Sequence, residues 1–238
     1  APRLGNGCGV YHNHTAVWLF YLRGIVVQRL AIVMMCLLLA ACSASTKGLG
    51  QSLLNSVMGE DGVQPTDDEI QNMPYASQYI TLNHGPQLFV ALAYSENGQQ
   101  KWVTTDRATL ITQHSRLVET LGLGDNLQKT SNIERDPLAR VSQITDGAGW
   151  TRQARWTEHG QVRTAVLRST FHWGEDEMLK VGSDRTPVRL LEENVESDAG
   201  HWRNRFWVDD AGQIRKTEQY LGPDFYPITT IVLKAAKA

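Results

Sequence analysis

The chain has little cysteine, and the few cysteines it has are confined to one end. Only Cys8, Cys36 and Cys42 occur in 238 residues. The chain beyond Cys42 therefore has no disulfide framework and no cysteine-based metal site. Acidic residues are missing from the same end, because all 25 of them follow Cys42, whereas three arginines precede it.

The charge balance after Cys42 excludes one class of partner. Residues 42–238 carry 20 basic and 25 acidic side chains, a formal charge of −5. A nucleic-acid-binding domain needs a basic surface, so nucleic acid is not an expected partner. The length of this part is sufficient for one domain with a sizeable core.

Familiar catalytic patterns are also absent from the sequence. It contains no HExxH, no G-x-S-x-G and no P-loop. The adjacent carboxylates Glu192 and Glu193 would point to opposite faces of a strand, so they cannot act together on a substrate. His84, His114 and His159 lie in turn-like contexts. The sequence predicts no catalytic residue, no metal site, no cofactor and therefore a non-enzymatic protein.

What the N-terminal end does contain is an export signal. Arg29 precedes ten residues, 30–39, without charge, and these are followed by Ala40, Ala41 and Cys42. That run is too short to span a hydrocarbon core of about 30 Å. A longer span over 16–41 would bury Arg23 and Arg29, each at about 2.5–3.5 kcal/mol. The segment 38–42 (LLAAC) looks like a lipobox, in which Cys42 is acylated after cleavage.

The sequence therefore divides into four parts. Residues 1–26 are predicted to be an N-terminal extension that is not translated or not structured, and 27–41 to be the signal peptide. Residues 42–74 form a tether with short helices. Within it, Thr66 and Glu69 form a capping box that predicts a helix start, and Pro74 ends that helix. Residues 75–238 form a β domain.

From residue 75 onward, the apolar pattern alternates with a period of two, which is typical of strands. The predicted strands are 78–82, 87–94, 100–104, 109–113, 116–120, 149–157, 162–173, 178–181, 187–195, 202–208, 213–220 and 228–234. One irregular loop is predicted at 122–146, and a turn at Glu175, Asp176 and Glu177.

The predicted fold is mainly β. No helical pattern separates the strands, so we expect an antiparallel meander of about ten to twelve strands. A sheet of that size must protect its edges, which favours a barrel or a curled half-barrel. In strand 162–173, the side chains of Ala165, Leu167, Phe171 and Trp173 share one face, with Ser169 among them.

One strand carries a candidate contact surface. Along 202–208, Arg203, Arg205 and Trp207 share one face, opposite Trp202 and Phe206. Arginine and tryptophan are enriched at interfaces, and tryptophan also stacks on sugars, so this face suits a protein or a glycan. The alternative is that Trp207 packs under the N-terminal helix while the arginines pair with glutamates.

Several segments, in order along the chain, resemble one known family, the YjbF/GfcB outer-membrane lipoproteins, and its YjbF branch most closely. The segments are NMPYASQY (72–79), GPQLFV (85–90), QKWVT (100–104), KVGSD (180–184), RFWVD (205–209) and GQIRKTEQYLG (212–222). The family is associated with exopolysaccharide and group 4 capsule production. The resemblance implies a mostly antiparallel β fold, no enzymatic activity and a lipidated cysteine at position 42.

Two functions remain open on this basis. The first is a non-enzymatic accessory in exopolysaccharide or capsule production or export. It would be lipid-anchored to the outer membrane, face the periplasm, and contact envelope proteins of the export system or the polysaccharide itself. The second is a carrier of lipid or another hydrophobic ligand, similar to LolA and LolB. A carrier needs a large apolar cavity, whereas an accessory needs an exposed contact patch.

Overall fold

The computed structural model of the protein describes residues 65–236. A short helix, α1 (Asp67–Asn72), precedes the strands. Its N-terminus has the predicted capping box: the Thr66 N–H donates to Glu69 Oε2 at 2.8 Å, and the Glu69 N–H donates to Thr66 Oγ1 at 3.3 Å. Within 65–236, no helix is sufficiently long and apolar to cross a membrane.

Twelve antiparallel strands follow α1 and form one sheet. They are β1 (Ser77–Leu82), β2 (Gln87–Glu96), β3 (Gln99–Val103), β4 (Thr109–Gln113), β5 (Arg116–Leu121), β6 (Leu127–Thr130), β7 (Gly149–Glu158), β8 (Gln161–Val181), β9 (Asp184–Ser197), β10 (Gly200–Asp209), β11 (Ile214–Gln219) and β12 (Ile228–Lys234).

The sheet curls into a nearly closed barrel, which confirms the predicted fold class. Its order is β5-β4-β3-β2-β1-β12-β11-β10-β9-β8-β7-β6. The first and last strands pair with each other, with Ile80 opposite Thr230. The break in the circle therefore lies between β5 and β6. The Thr120 side chain bridges that break, since its Oγ1 accepts from the backbone N–H of Leu127 at 2.9 Å.

The segment 122–146 differs from the single irregular loop that the sequence predicts. It contains β6 and two 3-10 helices, Ile133–Arg135 and Pro137–Gln143. With only four residues, β6 is too short to show an alternating pattern. It forms because Leu127 is buried and lies opposite Trp156 of β7.

The predicted turn at Glu175, Asp176 and Glu177 is wrong. The two strands predicted at 162–173 and 178–181 are one continuous strand, β8, whose pairing with β9 shifts register between Trp173 and Asp176. A bulge of this kind absorbs the change of direction without ending the strand. The three acidic side chains are exposed, which gives this part of β8 the polarity of a turn.

Two apolar clusters fill the barrel. The larger one takes residues from around the circumference, including Ile80, Leu110, Trp156 and Ile228. The smaller one lies against β7–β10 and the longer 3-10 helix, and includes Phe171 and Phe206. The predicted inward face of β8 is confirmed, because Ala165, Leu167, Ser169 and Phe171 are all buried.

Candidate functional site

A layer of buried polar side chains separates the two apolar clusters. Four neighbouring strands each contribute one residue where their inward face would otherwise be apolar. The layer is completed by β5 and by the residue before the longer 3-10 helix. We refer to these six residues as the polar layer: Arg116, Asp136, Arg152, Ser169, Glu193 and Asn204.

Glu193 is the centre of the polar layer. Its carboxylate is fully buried and accepts hydrogen bonds from four side chains. Oε1 accepts from Arg152 Nη1 at 3.0 Å and from Ser169 Oγ at 2.5 Å. Oε2 accepts from Arg116 Nη1 at 2.8 Å and from Asn204 Nδ2 at 2.9 Å. These bonds satisfy the acceptor positions of a charged group that would otherwise be costly to bury.

Arg116 links the barrel wall to the loop that follows β6. Its Nε and Nη2 donate to the two carboxylate oxygens of Asp136, at 2.5 and 3.1 Å. Asp136 Oδ1 also accepts from the Leu138 N–H at 3.0 Å, which caps the longer 3-10 helix. The guanidinium carbons of Arg116 and Arg152 lie 4.5 and 4.4 Å from the centre of the Trp150 ring, a favourable cation–π distance.

Mutual pairing decides the charge states in the layer. Burial by itself raises the pKa of Glu193, but Arg116 and Arg152 outweigh it and lower the pKa to about 2. Burial also opposes the charge of Arg116, yet Asp136 and Glu193 raise its pKa. For Arg152, burial is the stronger influence and lowers the pKa to about 10, with Glu193 opposing it. At neutral pH Glu193 is therefore ionised, and Arg116 and Arg152 keep their positive charges.

Each charged group of the polar layer is paired with another inside the barrel. A general acid or base must reach its substrate within hydrogen-bond distance. Glu193 is inaccessible to solvent and its oxygens are already occupied, so it cannot exchange a proton with a bound molecule. In the described part of the chain, no group of three or more His, Cys, Asp or Glu residues is placed to hold a metal ion.

A polar cavity lies beside both apolar clusters. Its volume is about 240 Å³, and its walls come from β1, β3, β4, β11 and β12. Trp102 belongs to the larger apolar cluster and lines the cavity, and Ile214 lines the cavity and packs against the smaller cluster. Much of its wall consists of amide and hydroxyl side chains, among them Gln78, Thr112, Thr217 and Thr230.

The candidate contact surface predicted on 202–208 lies on the outside of β10. Arg203 and Arg205 both donate to Glu192 Oε1, at 3.2 and 3.4 Å, and Arg205 also donates to Glu218 at 2.9 Å. The side chains of both arginines remain 40–50% exposed. The structure brings them together on one face with paired charges, and their role as a contact stays a prediction.

Trp207 is less available than its two neighbours. It is only 7% exposed, and its Nε1 donates to Glu177 Oε2 of β8 at 3.0 Å. Lys216 Nζ lies 4.1 Å from the centre of its ring. Trp207 is therefore largely covered by its neighbours, whereas Arg203 and Arg205 form the solvent-exposed part of this face.

Other predicted positions divide between the described and undescribed parts of the chain. Cys42 and the predicted segments 1–26 and 27–41 lie outside the described residues. His84, His114 and His159 lie in turns with φ between 49° and 56°, as their context predicts. Glu192 and Glu193 do point to opposite faces, one to solvent-exposed arginines and the other into the polar layer.

Sequence reasoning did not identify the polar layer as a unit. The available signal was one polar residue at an inward position in each of four consecutive strands, β7 to β10. Ser169 and Asn204 stand out in this way, flanked by Leu167, Phe171 and Phe206. The contributions of Arg116 and Asp136 have no such signal, because they come from an edge strand and a loop.

The fold and its interior define a class: a single-sheet antiparallel barrel with a filled, internally charge-paired core. Comparison with known proteins gives the family. The model of the family described as "Group 4 capsule polysaccharide lipoprotein gfcB, YjbF" matches residues 50–233. The chain belongs to this family.

Three relatives illustrate the similarity. The uncharacterized lipoprotein YjbF of Escherichia coli (strain K12) is 59% identical over 211 residues, covering 89% of this chain and all of that protein. The uncharacterized lipoprotein GfcB of the same organism is 35% identical over 213 residues, covering 88% and 100%. The crystal structure of the hypothetical lipoprotein YmcC from Escherichia coli (K12) superimposes with a TM-score of 0.73 at 35% identity, covering 80% of this chain and 98% of that one. These values place the chain closest to the YjbF branch, as predicted.

Proposed function

We propose that this protein is a lipid-anchored, non-enzymatic accessory in the production or export of an exopolysaccharide or capsule. The observation that carries the proposal is the family match over 50–233, whose description names a capsule polysaccharide lipoprotein. The lipobox-like segment 38–42 supports anchoring through Cys42. An aspartate directly after the lipidated cysteine would resemble a signal for retention in the inner membrane. This chain has Ser43 at that position, which supports a location in the outer membrane.

The interior of the barrel supports an accessory rather than an enzyme. Its buried ionisable groups in the polar layer neutralise one another and have no access to a substrate. The work of such a protein is then done by contacts on its surface or in its polar cavity. Attachment to a membrane confines those contacts to one layer, which raises the effective concentration of partners in that layer.

The carrier alternative receives less support from the described residues. Acyl chains need an apolar cavity, but the barrel is filled by two apolar clusters and the polar layer between them. Much of the wall of the polar cavity consists of amide and hydroxyl side chains, and these would lose hydrogen bonds to water if an acyl chain covered them.

The test is a pair of cysteine variants in a cell that makes the polymer. Cys42→Ser removes the acylated thiol, so we expect an uncleaved or mislocalised protein and reduced polysaccharide output. Cys36→Ala is the matched control, since it changes a cysteine inside the apolar run and leaves the lipobox intact. Normal outer-membrane recovery and normal output with Cys42→Ser would contradict the proposal. Recovery of the unaltered protein with inner-membrane vesicles would contradict the location alone.

A further inference from the structure

The polar cavity contains an unpaired hydrogen-bond donor. Gln78 is 4% exposed, and its Nε2 has no hydrogen-bond partner. It has the same parity along β1 as the buried Ile80, so it points into the barrel. An unpaired buried amide is costly, and most such groups in proteins have a partner. A molecule in the cavity would supply one.

The cavity can hold a small hydroxyl-rich molecule. Its volume of about 240 Å³ corresponds to roughly eight water molecules at about 30 Å³ each. Gln100, Thr112, Thr217 and Thr230 offer further donors and acceptors along its wall. Thr217 and Thr230 are already joined by a hydrogen bond of 2.8 Å, and Thr112 accepts from Trp102 Nε1 at 3.1 Å, so these groups are held in fixed positions.

Positive charge is concentrated at the rim of the cavity. Among the described residues that line it, Arg215 and Lys234 are basic and none is acidic. Lys234 Nζ is occupied by the carbonyl oxygens of Gln71 and Met73, at 2.7 and 2.5 Å. Arg215 lines the cavity from a bulge in β11, where Lys216 lies opposite Trp207 and Ile214 lies opposite Val208. Within 65–236 its guanidinium has no hydrogen bond or ion pair. Arg215 is therefore free to bind an anionic group.

We infer that this cavity is a saccharide-binding site that prefers a sugar unit carrying a carboxylate. The inference rests on the proposed function for the choice of a sugar among hydroxyl-rich molecules. Gln78 and the threonines bind the hydroxyl groups, Trp102 contributes an apolar wall, and Arg215 binds the carboxylate. The protein thereby holds one acidic unit of a polysaccharide at one end of its barrel.

Binding is tested by calorimetry or ligand-observed NMR with the full chain in detergent, using D-glucuronate and D-glucose as probes. A ligand of about a dozen non-hydrogen atoms is expected to bind with a Kd of about 1 mM. We expect D-glucuronate to bind about tenfold more tightly than D-glucose, since a charge-assisted hydrogen bond is about twice as strong as a neutral one.

Two variants separate the hydroxyl contacts from the charge contact. Gln78→Met keeps the length of the side chain and removes the amide, so we expect about fivefold to tenfold weaker binding of both sugars. Arg215→Gln is expected to remove the preference for D-glucuronate and leave D-glucose binding unchanged. Ser77→Ala is the matched control: its hydroxyl is also buried and unpaired, but it does not line the cavity.

Three outcomes overturn the inference. The first is that neither sugar shows saturable binding at concentrations well above the expected Kd. The second is that the Gln78→Met variant binds both sugars as tightly as the unaltered protein. The third is that the unaltered protein binds both sugars with equal affinity. Thermal unfolding of each variant shows whether the fold is retained. Failure here is distinct from failure of the proposed function, because it leaves the dependence of polysaccharide output on Cys42 unaffected. Sugar binding without that dependence would instead contradict the proposed function alone.

Discussion

Arg116 and Glu193 form an ion pair of 2.8 Å between residues 77 positions apart in the sequence. Both side chains are almost fully buried, at 2% and 0% exposure. The pair joins the edge strand β5 to β9 through the barrel interior. Because the sheet has no hydrogen-bonded pairing between β5 and β6 among the twelve strands, this interaction and its neighbours hold the open side together.

We predict that Glu193→Gln destabilises the fold by about 3–5 kcal/mol, because it leaves Arg152 without its ion-pair partner in the interior and leaves Arg116 with Asp136 alone. Glu192→Gln is the matched control on the outer face of the same strand, where exposed ion pairs contribute about 1 kcal/mol or less. Urea unfolding of both variants measures the difference. Equal effects of the two substitutions would show that the polar layer is not essential to stability.

The polar layer also predicts a pH dependence. The pKa of Glu193 is lowered from 4.5 to about 2 by Arg116 and Arg152, against the effect of burial. Its contribution to stability is complete above pH 4.5 and is lost as the pH falls towards 2, since the unfolded state takes up the proton first. The unfolding free energy should therefore fall more steeply over this range in the unaltered protein than in Glu193→Gln. Parallel curves would contradict this assignment.

Gln219 is predicted to protect the free edge of β5. Its side chain accepts from the Leu117 N–H at 3.0 Å and donates to the Ser115 carbonyl oxygen at 2.8 Å. Gln219→Met removes both bonds and should cost about 1–3 kcal/mol, the usual cost of leaving buried polar groups unsatisfied. Hydrogen exchange at the Leu117 amide should accelerate. Glu218→Gln, on the outward face of β11, should leave that rate unchanged.

The outer face of β10 gives a prediction in cells. Arg203→Ala combined with Arg205→Ala should weaken the binding of an envelope partner or glycan by about tenfold or more if both are contact residues. Polysaccharide output should fall while the amount and location of the lipoprotein remain normal. Arg163→Ala is the control, because Arg163 is an exposed arginine that pairs with Glu158 away from this face. Unchanged output in the double variant would remove this face from consideration.

Much of the barrel could be predicted from the sequence because most strands have one apolar face. The alternation in 162–173 identifies the inward residues of β8, and the capping box at Thr66 identifies the start of α1. The failures occur where local pattern and tertiary context disagree. The acidic triplet at 175–177 has the composition of a turn, yet pairing with β9 keeps it extended.

The polar layer shows why a candidate site is harder to predict than a fold. Arg152 and Glu193 occupy inward positions of their strands, but charged side chains on strands are normally assigned to the solvent side. Only the three-dimensional structure brings Arg116 from an edge strand and Asp136 from a loop to the same point. A charged side chain can be buried only when it has partners, and here those partners are distant in the sequence. The local pattern of apolar and polar residues therefore cannot predict them.

Pairing of β1 with β12 has a consequence for the order of folding. One of the two neighbours of β1 in the sheet is β12, so the ring cannot close until all the strands between them have been synthesised. Contacts of such long sequence separation slow folding. Removal of the chain from Ile228 onward would also expose the edges of both β1 and β11 to pairing with other chains. Strand β12 thus closes the ring by pairing with both β1 and β11. Its loss should leave two strand edges unpaired and cause the protein to aggregate.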